Sequence, residues 1–323
     1  MDNMTIFDML YPTFKIDKPI RLIELFAGVG SQAMALRDLG ADFEHYRVVE
    51  FDKYAIASYN AIHGTNFPTM DITQIFGDDL AITDTDKYCY ILTYSFPCQD
   101  LSVAGKMQGM SKGSNTRSGL LWEVERLLGE VKELPQVLLM ENVPQVISDA
   151  NISDFHKWQK FLEDKGYTNY VEILNAKDFG VAQNRERAFM VSLLGKWNYK
   201  FPQPIPLTKT MADYLEDEVD EKYYINSEKA QKLIQQLIDG GQLGGCIGNI
   251  NPSGNGINGN VFSSDGLAPT LTTNKGEGPK ICTDLSINNP KVTDISNCIT
   301  ARQDRGISNH QGVGGAVIER NTI

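Results

Sequence analysis

The sequence predicts an α/β fold in which a parallel sheet with crossover helices is followed by a smaller β-rich domain. Three observations predict it. Up to about Lys200, short apolar runs alternate with amphipathic segments, and buried strands separated by helices build parallel sheets. At FPQPIPLTKT (201–210) the texture changes, and its three prolines read as a linker. Beyond it the chain becomes rich in Gly, Asn, Ser and Thr; a stretch such as GNINPSGNGINGN cannot be helix. A length of 323 residues, 41% of them hydrophobic, suits one large domain plus a smaller one.

The strands are RLIELF (21–26), YRVVEF (46–51), YCYILTYSF (88–96), PQVLLMEN (135–142) and RAFMVSLLG (187–195). Each is short and rich in aliphatic or aromatic residues, as buried strands are. Between them, SQAMALRDLG and SGLLWEVERLLGEV carry apolar residues at helical spacing. One more helix, NSEKAQKLIQQLIDG, follows the linker. Two similar units come next, SSDGLAPTLTTNKGEG (263–278) and VTDISNCITARQDRGISN (292–309). Each has a turn, a short Thr-bearing strand and a basic, glycine-containing loop. They read as a weak two-copy repeat or, equally, as ordinary hairpins.

Several function classes fall away. No apolar run approaches the roughly 18 residues of a membrane helix, and the N-terminus lacks the basic start and apolar core of a signal peptide. The five cysteines, at 89, 98, 246, 282 and 298, form no CxxC pair and no metal-ligand spacing. They are expected to be reduced thiols of a cytoplasmic protein. The net charge of -11 counts mildly against a general nucleic-acid binder. A DNA enzyme, however, needs only one positive face.

LFAGVGS follows the first strand and opens a helix. Gly28 and Gly30 let the backbone approach a ligand, and the helix start offers N–H groups. Glu50 lies about 20 residues on, at the end of the second strand, where an acid grips a ribose hydroxyl pair. Phe51 beside it either stacks on a purine or packs in the core. Asp71 and Ile72, in MDITQI, are expected at the end of a third strand, where a carboxylate accepts from an adenine amino group. Together these point to an adenosine-bearing cofactor, and a nicotinamide dehydrogenase fits this far.

Cys98 changes the reading. It stands at the carboxyl end of a central strand, the edge where such sheets bind ligands. A cysteine after an apolar strand is often a buried small hydrophobe, but Pro97 fixes the chain direction here. The segment from Asp100 to Ser118 then carries Gly105, Gly109 and Gly113 with Lys106, Lys112 and Arg117. Such a segment can swing over a polyanionic substrate and exclude water. A thiol presented there is a candidate nucleophile. With an ordinary pKa of about 8.5, it needs a cationic or dipolar neighbour to be thiolate at neutral pH.

The strand QVLLM delivers Glu141 and Asn142 to the same rim. A carboxyl there can donate to a ring nitrogen of a base and accept from an amino group. In FGVAQNRERAFMV, residues Gln183, Arg185 and Arg187 alternate along one side of an extended stretch. Arginines so placed hold phosphate or carboxylate, or form a solvated strand edge. A thiol, an acid and an arginine match attack at C6 of a pyrimidine. Protonation at N3 relieves the developing charge, C5 takes a methyl group from a sulfonium donor, and elimination of the C5 proton and the thiol ends the cycle.

At these residues the chain resembles the DNA cytosine-5 methyltransferases. ELFAGVGS, VVEFDKYA, DITQI, SFPCQDLSVAGK, RSGLLWEV, ENVPQVI and FGVAQNRERAFMV resemble the family's ordered motifs over roughly 21–195. APTLTT and NCITARQDRGISN resemble strands of its target-recognition domain. The resemblance implies a Rossmann-like, S-adenosylmethionine-dependent methyltransferase domain over 1–200 and a β-rich target-recognition domain over 201–323. It implies Cys98 as nucleophile and Glu141 as the group that binds and protonates cytosine. Arg187 holds the base carbonyl, Arg185 supports the site and nearby phosphate, and Pro97 and Gln99 complete the loop. Phe26, Gly28, Gly30, Glu50, Phe51, Asp71, Ile72 and Leu120 match the contacts to S-adenosyl-L-methionine. The partner is double-stranded DNA, with the target base flipped out of the helix. Restriction–modification or phage DNA protection is the setting, in the cytoplasm of a bacterial or phage-infected cell.

Two departures stand out. Ser31 replaces a third glycine found in many relatives. The family's Leu-Thr-Pro-Arg-Glu-like segment and closing Gly-Asn-Ser/Ala-Val element are not evident; VGGAV near the end is only a faint echo. The expectation is therefore an enzyme active as it stands, one needing a second polypeptide that supplies the C-terminal motifs, or a truncated relative that binds DNA. Transfer RNA is the other substrate on the same chemistry; the sizeable recognition region favours duplex DNA. Lys275, Arg302 and Arg305 are the candidates for reading base edges. A dehydrogenase leaves Cys98, Glu141 and Arg187 without a role.

Overall fold

The computed structural model describes residues 11–101, 109–114, 116–215, 224–225, 227–238, 245–250, 259–270, 280–283 and 291–294. Two compact units emerge from the contacts. One comprises the described residues up to Leu174 with Glu186–Pro202; the other comprises Asn175–Arg185 and the described residues from Gln203 onward.

The first unit is built on a six-stranded sheet. Its strands are β1 (Ile20–Leu25), β2 (Phe43–Val49), β3 (Cys89–Tyr94), β4 (Val137–Asn142), β5 (Tyr167–Asn175) and β6 (Glu186–Leu194). Their order is β2-β1-β3-β4-β6-β5. Helices α1 (Ser31–Asp38), α2 (Lys53–His63), α3 (Leu121–Glu130) and α4 (Ile152–Asp164) lie between the strands in sequence. β3 is buried at every position, as a central strand covered on both faces must be. α3 buries Leu121, Trp122, Val124, Leu127 and Leu128, an i, i+3, i+4 stripe, against that core. α4 buries Phe155, Trp158 and Leu162 in the same way. The Trp158 indole donates to the Tyr94 hydroxyl at 3.1 Å, which satisfies the polar atom of a fully buried ring.

The sequence reading needs two corrections here. β2-β1-β3-β4 are parallel, but β6 runs antiparallel to β4. Its preceding neighbour in the chain is β5, a strand that the sequence did not suggest, and no crossover helix separates the two. Second, no strand of the described residues ends at Asp71. That residue instead caps a 3-10 turn over Ile72–Gln74, its carboxylate accepting from the Thr73 backbone N–H at 2.9 Å.

The second unit carries a four-stranded sheet, order β10-β9-β8-β7, of β7 (Cys246–Asn249), β8 (Asn260–Ser263), β9 (Lys280–Thr283) and β10 (Lys291–Asp294). Helix α5 (Glu228–Ile238) places Ala230 and Leu233 in a small core with Ile250, Val261 and Cys282. The segment before β6 belongs to this unit: Asn184 N–H donates to Ala268 O, and Ala268 N–H to Ala182 O, both at 2.9 Å. Ala268 is the start of APTLTT. Its last three residues (271–273), most of the two-copy repeat, VGGAV, Cys298, Lys275, Arg302 and Arg305 lie outside the described residues. Cys89, Cys98, Cys246 and Cys282 form no disulfide, and no helix of the described residues is long and apolar enough to cross a membrane.

Candidate active site

The parallel registers bring the carboxyl ends of β1, β3 and β4 side by side, with Leu25 opposite Tyr94 and Tyr94 opposite Met140. Because β6 is antiparallel, its first residues reach the same edge: Glu141 pairs with Phe189 and Asn142 with Ala188. Arg187 therefore sits diagonally from Glu141 on the same face, within reach of a long side chain. Arg187 Nε meets Glu141 Oε1 at 2.9 Å, both side chains half-buried.

Asn142 braces this edge from within. It is buried; its amide donates to Phe96 O at 3.0 Å, and its oxygen accepts from Val143 N–H at 2.8 Å. The tail of β4 is thus tied to the residues that lead into Pro97 and Cys98. We expect Asn142→Ala to cost about 1–3 kcal/mol, the scale of a buried carbonyl left unpaired. A shift in the urea midpoint checks this; an unchanged midpoint would show that the bond does not hold the two strand ends.

Cys98 is half-buried at the mouth of the loop. Its carbonyl accepts from Leu101 N–H at 3.0 Å, and the buried Ser118 hydroxyl donates to Pro97 O at 2.7 Å. Asp100 clasps the far end of the loop, accepting from Arg117 N–H at 2.7 Å and Ser118 N–H at 3.3 Å, while the Arg117 guanidinium donates to the Gln99 side chain. The loop is pinned at its return as well: Ser111 Oγ donates to Asp154 on α4, and the Trp122 indole to Met110 O. Gly105 and Lys106, between these anchors, lie outside the described residues.

The expected cofactor residues form a second cluster at the end of β1. Phe26, Gly28 and Gly30 have φ of 57°, 56° and 79°. That left-handed turn is strained for Phe26 and natural for the glycines. It is fastened by Phe26 N–H to Val49 O at 2.8 Å and by Gly28 N–H to Glu50 Oε2 at 2.9 Å. Met70 N–H donates to Glu50 O at 2.8 Å, which brings Asp71 and Ile72 beside Glu50 and Phe51. Arg126 on α3 donates to Ile72 O at 3.0 Å and so anchors the helix that begins after Leu120. Phe51 is 75% exposed, which rules out plain core packing. Gly30 offers no side-chain cap to α1, and within its first turn Glu24 Oε1 accepts from Ala33 N–H at 3.3 Å. These features fit an adenosine-bearing group: an open aromatic face, a carboxylate and glycine backbone.

Thus Glu141 and Arg187 are joined directly, and Gln32 Nε2 donates to Ser95 Oγ at 3.2 Å, linking the turn's helix to the approach to Cys98. Gln183 and Arg185 are not part of this unit. Strand β6 begins at Glu186, and Arg185 is held in the second unit by Asn175, whose oxygen accepts its backbone N–H at 3.0 Å. Beneath the turn lies a residue that the sequence did not single out. Glu24 on β1 is fully buried, and burial raises its carboxyl to about 7 despite hydrogen bonds from Tyr59 and Ala33. Glu24 and Tyr59 stand too far apart in sequence to form a local motif.

The C-5 cytosine-specific DNA methylase family model matches residues 20–292. The orphan methyltransferase M.SPRI of Bacillus phage SPR is 32% identical over 345 residues, covering 94% of this chain and 76% of that protein. The type II methyltransferase M2.ScrFI of Lactococcus lactis subsp. cremoris is 34% identical over 269 residues, covering 68% of this chain and 74% of the relative. Among solved structures, the Entamoeba histolytica methyltransferase EhMeth superposes with a TM-score of 0.61 at 14% identity, covering 87% of this chain and 84% of its own. The S. pombe Dnmt2 methyltransferase gives 0.56 at 20% identity, covering 82% and 76%. The last two show the α/β methyltransferase fold alone. By the family match and by relatives above 30% identity, this chain belongs to the C-5 cytosine-specific DNA methylases.

Proposed function

We propose that the chain transfers a methyl group from S-adenosyl-L-methionine to C5 of cytosine in a short duplex DNA sequence, through a covalent bond between Cys98 and C6. The Glu141–Arg187 pair at the strand edge that also carries Cys98 is the observation that most supports it. S-adenosylmethionine supplies the methyl group as a sulfonium electrophile. Glu50 accepts from ribose hydroxyls, Phe51 stacks on the adenine, and Asp71 and Ile72 border the same ring. Phe26, Gly28, Gly30 and Leu120 line the remainder of that site. Cys98 Sγ adds to C6 and leaves again when the C5 proton is lost. Glu141 binds the base edge and delivers a proton to N3, and Arg187 holds the carboxyl in place and reaches the base carbonyl. Pro97 and Gln99 shape the loop, and Arg185 contacts phosphate. Residues 1–200 act as the catalytic domain and 201–323 as the target-recognition domain, with Asn175–Arg185 belonging to the second unit although they fall within 1–200. The setting is restriction–modification or phage DNA protection, in the cytoplasm of a bacterial or phage-infected cell.

The test is intact-protein mass after mixing the chain with S-adenosylmethionine and mixed-sequence duplex containing 5-fluorocytosine. Fluorine blocks the final elimination, so a working enzyme stays attached. An adduct formed unaided shows that no second polypeptide is required; an adduct only with a neighbouring gene's product shows that one is. None in either case overturns the assignment.

Phe51→Ala is expected to weaken S-adenosylmethionine binding about ten- to hundredfold, the scale of a lost base–aromatic stack, with little change in kcat at saturation. Calorimetry reads this directly. Unchanged affinity would place the adenine elsewhere.

A further inference from the structure

We propose that Tyr59, His45 and His63 are positioning residues for the cofactor turn, and that they form a proton path from solvent to buried Glu24 which makes the turn's grip on the cofactor depend on pH. This rests on the cofactor reading above. Glu24 Oε2 accepts from the Tyr59 hydroxyl at 2.6 Å, and Tyr59 Oη meets His45 Nδ1 at 2.7 Å. His45 lines a cavity of about 360 Å3 with Arg37, Asp42 and His63. Glu24 is fully buried, so this chain of side chains joins it to that cavity.

The same residues hold the turn. His63 Nε2 lies 3.1 Å from Val29 O, so it is the donor there. A Cβ at Gly30 would lie 2.4 Å from His63 Nε2 and 2.5 Å from a Tyr59 ring carbon; the turn rests on these two rings. Glu24 Oε1 accepts from Ala33 N–H at 3.3 Å and so reaches the first turn of α1.

With Glu24 ionised, Tyr59 donates to it and His45 Nδ1–H donates to Tyr59. On proton uptake, His45 Nε2 takes a proton from the cavity, its Nδ1 proton passes to Tyr59 and the Tyr59 proton to Glu24; Glu24 O–H then donates to Tyr59, and Tyr59 to His45 Nδ1. One proton has entered at the cavity and reached the carboxyl. The charged carboxylate is the stronger acceptor for Ala33 and Tyr59, so it holds the turn better. The groups that face this path are His45 on β2, Tyr59 and His63 on α2, and Arg37 and Asp42 at the cavity rim, with Arg37 paired to Asp38. Acidification protonates Glu24 and then charges His45, whose ring lies 4.9 Å from that of His63. Burial and the His63 charge hold His45 below its ordinary range, and Glu24 titrates near 7. Both steps act in one direction: binding weakens as pH falls.

The experiment is calorimetric titration of S-adenosylmethionine into the full chain from pH 6 to 8. The wild-type dissociation constant is expected to rise about tenfold on going to pH 6, the effect of one unit of differential pKa. Tyr59→Phe keeps the ring under Gly30 but cuts the path, and it should flatten the profile. His45→Gln keeps a polar partner for Tyr59 Oη but cannot relay a proton; it should match the wild type at pH 8 and lose less affinity at pH 6. Saturating kcat should stay within about twofold in both. Should Tyr59→Phe fail to fold, His45→Gln carries the test alone. A flat wild-type profile, or variants with the wild-type slope, would overturn the proposal. No binding by the wild-type chain at any pH overturns the cofactor reading itself, and this inference with it.

Discussion

Cys98→Ser is expected to abolish methyl transfer while leaving DNA binding in place. A serine hydroxyl ionises far above neutral pH and is a much poorer nucleophile than a thiol. Removing a covalent nucleophile costs at least about 10^4-fold in turnover. The replacement is nearly isosteric, and two bonds that hold this stretch end on main-chain carbonyls: Leu101 N–H to Cys98 O, and Ser118 Oγ to Pro97 O. The loop should therefore keep its shape, and filter binding of duplex DNA should match the wild type. Transfer of labelled methyl groups reads the activity, and the fluorinated duplex reads the covalent bond. Turnover within tenfold of the wild type would remove Cys98 from the chemistry. Loss of both transfer and DNA binding would point to a collapsed loop instead, which an unchanged melting temperature would exclude.

The position of Cys98 just past the end of β3 is legible in the sequence because two strong signals meet there. A strand buried at every position announces itself as a continuous apolar run, and a proline marks its end. Sheets of this class bind ligands beyond the carboxyl ends of strands, so Glu141 followed from the same logic. Arg187 was legible as a residue, but its geometry was not. The run RAFMVSLLG shows burial without direction, and only the antiparallel pairing puts the start of β6 at the active edge. What hid that direction was β5. YTNYVEILN is half-buried along most of its length and mixes polar with apolar residues, so neither alternation nor an apolar run marks it. Asp71 is expected at the end of a third strand, but FPTM before it lacks a strand's apolar run, and Pro68 breaks it. Arg185 and Arg187 share a spacing but not a unit, because the strand starts between them. The Glu24–Tyr59–His45 path is assembled by the fold alone, from β1, α2 and β2. No sequence pattern joins such distant positions.

Glu141→Gln is the second large effect, expected to slow methyl transfer by at least about 100-fold, the scale of lost acid–base catalysis. Glutamine keeps the shape of the side chain and an oxygen that can accept from Arg187 Nε, so the contact now at 2.9 Å can survive in weaker form. The amide can still meet a base edge, but it has no proton to give to N3. Attack by Cys98 then builds charge on the ring that nothing neutralises. Addition and transfer should both slow. The loss should appear in the single-turnover rate, and the adduct with the fluorinated duplex should form slowly rather than not at all. Arg187→Lys separates the partner's share: it keeps the charge but loses the planar fork that fixes a carboxylate. Its turnover should fall less than that of the glutamine variant. If Glu141 only held Arg187, the lysine and glutamine variants would be equally slow. If Glu141 protonates the base, glutamine is the slower of the two, and near-normal single-turnover rates in that variant would take Glu141 out of the mechanism.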